Sequence, residues 1–456
     1  MNKSGNMRWI WILLVMLSPA CLEAQTNDTT AQRYELSLQQ AVDYAMKNSV
    51  AVKNALLEVQ IQQQTNREVT GSAYPQLSAS GSLTYNAKLP VSLVPAEFFG
   101  GQPGTFEKLA FGVKWGATGG VSISQLLFDG QVFTGLRARK TLIDFQQKNV
   151  EVTELDIRTN VHKIYYQLVV GATQLELIDS NITRLEKLRY NTKVMFDNGF
   201  AEQLAIDRVD VQIANLQTEK ANVLNQISNG YLGLKVLMGM PIRNELVLTD
   251  TLSDAQVREG ALEAADFNYN QRPDYQYAEL GVKLRDYDIQ RYRLSKIPTL
   301  SVNGYYNKNA QRNEFDFFKG GGQNRDWFDI SAFTLNLNIP IFNGFATNAR
   351  IARAKLVQRQ AVNNREALKI NIDNEVQAAR NNYSYAITNM DYQKKNMALA
   401  ESVYEQTRRK FEEGLGEQIE ITNAQTDLKA AQTNYINALY NAIIAKTDFL
   451  RATGRL

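Results

Sequence analysis

Histidine and cysteine are almost missing from this chain: among 456 residues there is one of each, His162 and Cys21. A lone histidine without cysteine or histidine companions reads as a packing or lumen residue, not as a metal ligand or catalytic base. A single cysteine excludes an intramolecular disulfide. Net charge is nearly absent too, at +3, which argues against nucleic acid as a partner, since that would leave a basic stripe. No GxSxG elbow, nucleotide loop or metal-spaced cluster occurs, so the chain reads as no enzyme and as needing no cofactor. Beyond the N-terminus there is no run of about 18 apolar residues, which excludes a spanning helix. Proline is absent from residue 130 to 198, so nothing there interrupts a helix.

The N-terminus reads as an export signal over residues 1–24. Lys3 and Arg8 form its basic start, Trp9 to Leu17 its short apolar core, and Ala24 its cleavage point. Cys21 follows Ala20 and could carry lipid, but Ser18 stands where a lipoprotein signal wants leucine. The favoured reading discards Cys21 with the signal.

What remains says the same thing twice. Residues 25–240 and 270–456 share one layout, a helix, two strands and two very long helices, with 241–269 between them. The anchors match: Pro75-Gln76-Leu77-Ser78 and Pro298-Thr299-Leu300-Ser301; Phe128-Asp129-Gly130 and Phe342-Asn343-Gly344; Phe196 to Gly199 and Phe411 to Gly414; Gly239 and Gly454. A duplication through whole halves marks a repeat architecture.

Each half carries two alternating strands. Leu77, Ala79, Gly81, Leu83 and Tyr85 alternate with Ser78, Ser80, Ser82 and Thr84. Phe111, Val113, Trp115, Val121, Ile123 and Leu127 alternate with Lys114, Thr118, Ser122 and Ser124. In the second half Leu300, Val302 and Gly304 are followed by Phe333, Leu335, Leu337, Ile339 and Ile341. One greasy and one hydroxyl-rich face, about ten residues of length and aromatic residues near the ends fit strands of a membrane barrel. Four strands cannot close on themselves, and an open edge is not tolerated in lipid. The barrel must therefore be shared among chains. The connections 88–110 and 308–329, with Gly320-Gly321-Gly322 in the second, read as flexible surface loops.

The helix from Gly130 to about Asn198 would reach about 100 Å, far beyond any bilayer, so it projects into an aqueous space. Val161, Ile164, Leu168, Gly171, Leu175, Ile178, Ile182 and Leu185 recur at spacings of three and four. Ile206, Val209, Ile213, Leu216, Val223, Ile227, Leu234 and Leu237 continue the pattern, with Lys220 and Gly230 as exceptions. Ile421, Ala424, Leu428, Ala431, Tyr435, Ala438, Ala442, Ala445 and Phe449 repeat it. Such a repeat specifies helices packed as coiled coils. Asp207, Asp210 and Glu219 read as a solvated face. Gly199 and Gly414 sit at the turns between long helices, followed by Phe200 and by Leu415-Gly416. These turns are either plain C-caps or docking tips.

In this order the motifs resemble the TolC-type outer-membrane efflux proteins. The resemblance rests on Leu36-Ser37-Leu38-Gln39-Gln40-Ala41 at the entry, Asn270-Gln271-Arg272-Pro273-Asp274 at mid-chain, and the turns quoted above. It implies a mixed α and transmembrane β fold: four strands of a shared twelve-stranded trimeric barrel, above a periplasmic coiled-coil barrel of helices. It also implies an exit duct that conducts substrates passively from an inner-membrane pump, of the proton-driven RND or ATP-driven ABC type, through a periplasmic adaptor. Its home would be the outer membrane. The tips Gly199, Phe200, Gly414, Leu415 and Gly416 would dock the adaptor. A gate would fall at Glu420 and Asn423, with Arg208 opposite; an Arg208–Glu420 ion pair could close it. Type I protein secretion, or a structural coiled-coil scaffold of the envelope, remain as alternative readings.

Overall fold

The computed structural model describes residues 32–258, 267–318 and 327–456; the expected export signal with Cys21, and Gly320 to Gly322, lie outside them. The chain opens with β1 (Arg33–Leu36). Helix α1 (Leu38–Asn48) starts at a capping box, in which Ser37 and Gln40 satisfy each other's backbone N–H groups. The opening helix expected from sequence is in two pieces: Ser49, in an extended conformation, separates α1 from α2 (Val50–Gly71).

Strand β2 (Gln76–Tyr85) follows, then β3 (Val91–Pro95) and β4 (Phe106–Ala110), and then β5 (Trp115–Phe128). Helices α3 (Gly130–Asp197) and α4 (Gln203–Met238) form the first long hairpin. After β6 (Glu245–Leu248) and the short α5 (Asp254–Arg258), the second half runs α6 (Pro273–Leu294), β7 (Thr299–Arg312), β8 (Phe328–Asn338), α7 (Ala346–Glu412) and α8 (Gln418–Ala452). Helices α3 and α7 are 68 and 67 residues long, or about 100 Å each.

Three expectations need correction. The segment 88–110 is not a plain loop, because β3 and β4 pair as an antiparallel hairpin. The second strand starts at Trp115, not 111: Gly112, at φ 116°, turns the chain before it and leaves Phe111 and Val113 outside. Strand β7 runs on to Arg312, well into the expected loop, while β8 ends at Asn338. Pro340 has no N–H to give to a ladder, so Ile339 and Ile341 fall in the connection and stay exposed.

In each half two shorter helices lie end to end along one long one: α2 and α4 along α3, α6 and α8 along α7. Gly239 and Gly454 make those junctions. Both have positive φ, 71° and 72°. A Cβ on Gly239 would collide with the Asn48 carbonyl where α1 gives way to α2, and one on Gly454 would stand 2.8 Å from the Gln271 carbonyl oxygen just before α6. This explains why the sequence repeats a glycine there. Gly239→Ala should lose about 2–4 kcal/mol, from left-handed strain together with the backbone clash. Gly199→Ala, where φ is 81° but no atom lies within 4 Å of the new Cβ, should lose only about 1–2 kcal/mol. Thermal melts of the two variants, followed by helix signal, check the ordering.

The seven-residue pattern is the core. Val161, Leu168, Ile178, Leu185, Val209, Leu216, Leu234, Ile421, Leu428 and Ala442 are all buried. The pattern's two exceptions have partners: Lys220 pairs with Asp179 across α3 and α4 at 2.6 Å, and Gly230 lets the Leu168 side chain approach. Two buried tyrosines repeat one another. The Tyr165 hydroxyl donates to the Leu36 carbonyl at 3.1 Å, and the Tyr383 hydroxyl to the Val257 carbonyl at 2.6 Å. Each ties a long helix to the middle of the molecule.

His162 is on α3, partly buried. Burial, helped by the charge of Arg158, lowers its pKa to about 4. The unfolded chain therefore binds a proton below about pH 6.5 that the folded chain refuses. Stability should be flat above that pH and fall by about 2–3 kcal/mol as pH drops toward 4. His162→Gln should flatten that part of a pH–melting profile.

Candidate functional site

The four long strands form one antiparallel sheet in the order β2-β5-β7-β8. Each half supplies two neighbours, and β5 pairing with β7 joins the halves. The register decides what the sheet can do. Leu77 stands opposite Ile123, and Ile123 opposite Gly304, which stands opposite Phe333. Ala79, Val121 and Tyr306 form the next row, which ends at Ser331 on β8; Leu300 opposes Leu337, and Val302 opposes Leu335. Residues directly opposite share a face, so all four apolar stripes fall on one side. Leu77, Phe333, Leu335 and Leu337 are between 60% and 82% exposed, covered by nothing in the chain.

The other side is hydroxyl and amide. Ser78 and Ser122 hydrogen-bond at 2.8 Å, and Thr118 donates to Asn309 at 2.6 Å. Ser124, Asn303 and Thr334 continue this face. Strands β2 and β8 are the outer strands of the sheet, each with one unpaired edge. Such edges, bearing an apolar face of this size, require further strands. All four strand–helix junctions lie at one end of the sheet, because α2 enters β2, β5 leaves to α3, α6 enters β7 and β8 leaves to α7.

At the far end of the helices lie the two tips. Gly199 and Gly414, at φ 81° and 76°, close the turns α3–α4 and α7–α8. Phe200 and Leu415 beside them are 83% and 78% exposed. Gly416 sits against Lys410 and Phe411. Just past the tips the Gln418 amide donates to the Ala205 carbonyl at 2.9 Å, bringing the starts of α4 and α8 together. Arg208, Glu420 and Asn423 are exposed at this level, and within one chain Arg208 and Glu420 form no ion pair with each other.

Other residues, which sequence reasoning assigned to solvated faces or passed over, hold the two hairpins to one another. Asn181 and Gln425 are 2% and 4% exposed. The Gln425 amide donates to the Asn181 oxygen at 2.7 Å, and Arg184 donates to the same oxygen at 2.9 Å. Lys429 pairs with Glu219 between the hairpins, and Arg189 with Asp210 within the first one, so two of the acidic residues read as solvated have charged partners. Around them Ile178, Leu185, Leu188, Val209 and Leu216 pack with Tyr404, Phe411, Ile421, Ala424 and Leu428. No local signal marks Asn181 or Gln425, which meet only across 244 positions of sequence.

The mid-chain motif has a structural task. Arg272, 3% exposed, donates twice to Asp274 (3.0 and 2.6 Å), once to Glu375 on α7 (2.7 Å) and once to the Ala452 carbonyl at the end of α8 (3.2 Å). Burial alone would lower its pKa, but the two carboxylates more than offset this and raise it, so the guanidinium stays charged. It therefore joins the start of α6, the flank of α7 and the last turn of α8.

Comparison with known proteins agrees with this geometry. The family model for outer membrane efflux proteins matches residues 269–455. The second half of the chain is thus similar to the outer membrane efflux proteins. It is 21% identical over 342 residues to the outer membrane protein TolC of Vibrio cholerae, covering 74% of this chain and 76% of that one. It is 20% identical over 453 residues to the outer membrane lipoprotein SilC of Salmonella typhimurium, described as probable, covering 96% and 90%. Among solved structures, one of CusC superposes with a TM-score of 0.75 at 17% identity, covering 93% of each chain. The outer membrane protein VceC of Vibrio cholerae superposes with a TM-score of 0.70 at 15% identity, covering 91% and 96%. The fold of this chain is thus that of the solved outer-membrane channels: part of a membrane barrel continued by long helices.

Proposed function

We propose that the protein is the outer-membrane exit duct of a tripartite efflux system. Three copies close a barrel of twelve strands, and their helices continue it as a tube across the periplasm. The observation that carries this reading is the register: four apolar stripes on one side of an open sheet, hydroxyl and amide groups on the other, with helices of about 100 Å leaving one end. Lipid takes the apolar side, and water and cargo take the polar side. Transport is passive, and the chain catalyses no reaction. Energy comes from an inner-membrane pump, which reaches the duct through a periplasmic adaptor.

The adaptor docks at the tips, where Phe200 and Leu415 stand out beside Gly199, Gly414 and Gly416. Opening separates the α3–α4 hairpin from the α7–α8 hairpin, and the adaptor drives it by binding the open tip more tightly than the closed one. Arg208, Glu420 and Asn423, exposed next to the tips, line the narrowest part and meet between chains. A photo-crosslinker at Leu415 in living cells, with mass spectrometry of what it captures, tests this. Capture of an adaptor that serves a proton-driven pump is expected. An adaptor of an ATP-driven exporter would shift the reading to protein or peptide secretion, and capture of its own subunits alone would overturn tip docking.

A further inference from the structure

Where the strands become helices, both halves carry the same two-part arrangement. In the first, Phe128 and Phe133 contact each other at 5.5 Å between ring centres; in the second, Phe342 and Phe345 do so at 5.3 Å. All four rings are exposed, Phe342 and Phe345 by 74% and 69%. Phe345 is the one residue other than glycine with positive φ among the described residues. The chain thus holds this ring outward at a conformational cost.

Within about three turns below each ring pair come cations: Arg137 and Lys140 on α3, Arg350 and Arg353 on α7. All four are exposed, and among the described residues none makes an ion pair, though Arg353 contacts the Tyr292 hydroxyl. The end of α6 adds Arg293 and Lys296 at the same level. The carboxylates nearby are Glu68, Asp129, Asp144, Asp286 and Asp288, and three of them are engaged. Asp129 caps α3 through the Gln131 N–H at 2.7 Å, Asp286 accepts from Gln358 at 3.0 Å, and Asp288 pairs with Arg285 and Arg291. No carboxylate occurs on α7 before Glu366. The chain as a whole is only +3, so positive charge is concentrated at this one level.

We propose that this collar binds the phosphate headgroups of anionic phospholipid, such as phosphatidylglycerol, in the leaflet that faces the helices. The proposal rests on the sheet being embedded in a membrane. The rings would sit at the boundary between tails and headgroups, where aromatic side chains are favoured. The guanidinium and ammonium groups, on long side chains that reach upward, meet the phosphates. The duplication makes it a ring around the barrel, with an anchor from each half of each chain. Charge complementarity selects the lipid, because each cation near an anionic surface favours it independently.

The test reconstitutes the full chain in phosphatidylcholine vesicles containing spin-labelled phosphatidylglycerol or spin-labelled phosphatidylcholine, and measures the motionally restricted fraction of each. The wild-type protein should hold phosphatidylglycerol about three- to five-fold more strongly than phosphatidylcholine. That preference should vanish in the variant Arg137→Gln, Lys140→Gln, Arg350→Gln, Arg353→Gln, and fall in 1 M salt. A preference that survives all four substitutions overturns the proposal. So does an unchanged preference with altered anion selectivity of single-channel current, which would place the four cations in the duct. If neither label is restricted by the wild-type protein, the sheet is not in lipid and the underlying membrane reading fails instead.

Discussion

Leu335→Arg should prevent the barrel from assembling, whereas Asn336→Arg, one residue further along β8, should leave it intact. Leu335 lies opposite Val302 on the apolar side and is 64% exposed in the single chain, while Asn336 lies opposite Ser301 on the polar side. A charged side chain on the lipid face costs about 2–4 kcal/mol near the middle of the bilayer, and the assembly bears that cost once per copy. On the polar side the same arginine reaches water, where a surface substitution changes stability by about 0.5 kcal/mol or less. The measurement is the amount of heat-modifiable oligomer in the outer-membrane fraction. Loss with Asn336→Arg and retention with Leu335→Arg would mean the two faces are exchanged. Because strand side chains alternate with a period of two, a shift of one residue in register exchanges them completely.

Arg272→Ala should be among the most damaging single changes in the helical part. It removes the charge that Asp274 and Glu375 surround and leaves the Ala452 carbonyl without its donor. Loss of charge-assisted bonds at a group 3% exposed should cost about 2–4 kcal/mol. Glu375, about half exposed, recovers water and limits the loss. Arg272→Lys keeps the charge but not the two-pronged geometry toward Asp274, so it should recover only part of the stability. Thermal melts followed by helix signal give the ranking wild type, then lysine, then alanine. A melting curve for alanine that overlays the wild type would remove Arg272 from the forces holding the junction of α6, α7 and α8.

The parts legible in the sequence are those governed by local spacing. The helix expected from Gly130 to about Asn198 is α3, because propensity without proline and a sustained apolar repeat both act over neighbouring turns. The repeated glycines were visible as well. Their reason was not: Gly199 answers only to its backbone angle, while Gly239 also answers to Asn48, nearly two hundred positions away. Extended structure was harder to read. Beyond Tyr306, β7 has no apolar stripe, since Lys308, Asn309, Gln311 and Arg312 put polar groups on both faces. Pairing with β5 holds that part of the strand, and pairing is a property of the partner. The hairpin of β3 and β4 escaped notice for the same reason.

The candidate site divides along the same line. Exposed Phe200 and Leu415 beside their glycines could be found from the repeat alone. Asn181, Gln425, Glu219 and Lys429 could not, because an amide or a charge on a helix looks solvated until another helix packs over it. The collar cations are plain in the sequence as residues, but their common level follows only from an antiparallel sheet that sends all four helices out of one end.

By itself the sequence determined periodicities: two for the strands, three and a half for the helices, and one long repeat that doubles them. These follow from backbone geometry and need no knowledge of neighbours. Only the tertiary structure decided register and adjacency. It placed four separate apolar stripes on one side of one sheet and two hairpins against each other. The physical reason is that β-ladders and interhelical contacts join residues far apart in the chain. Their free energy exists only once both partners are in place.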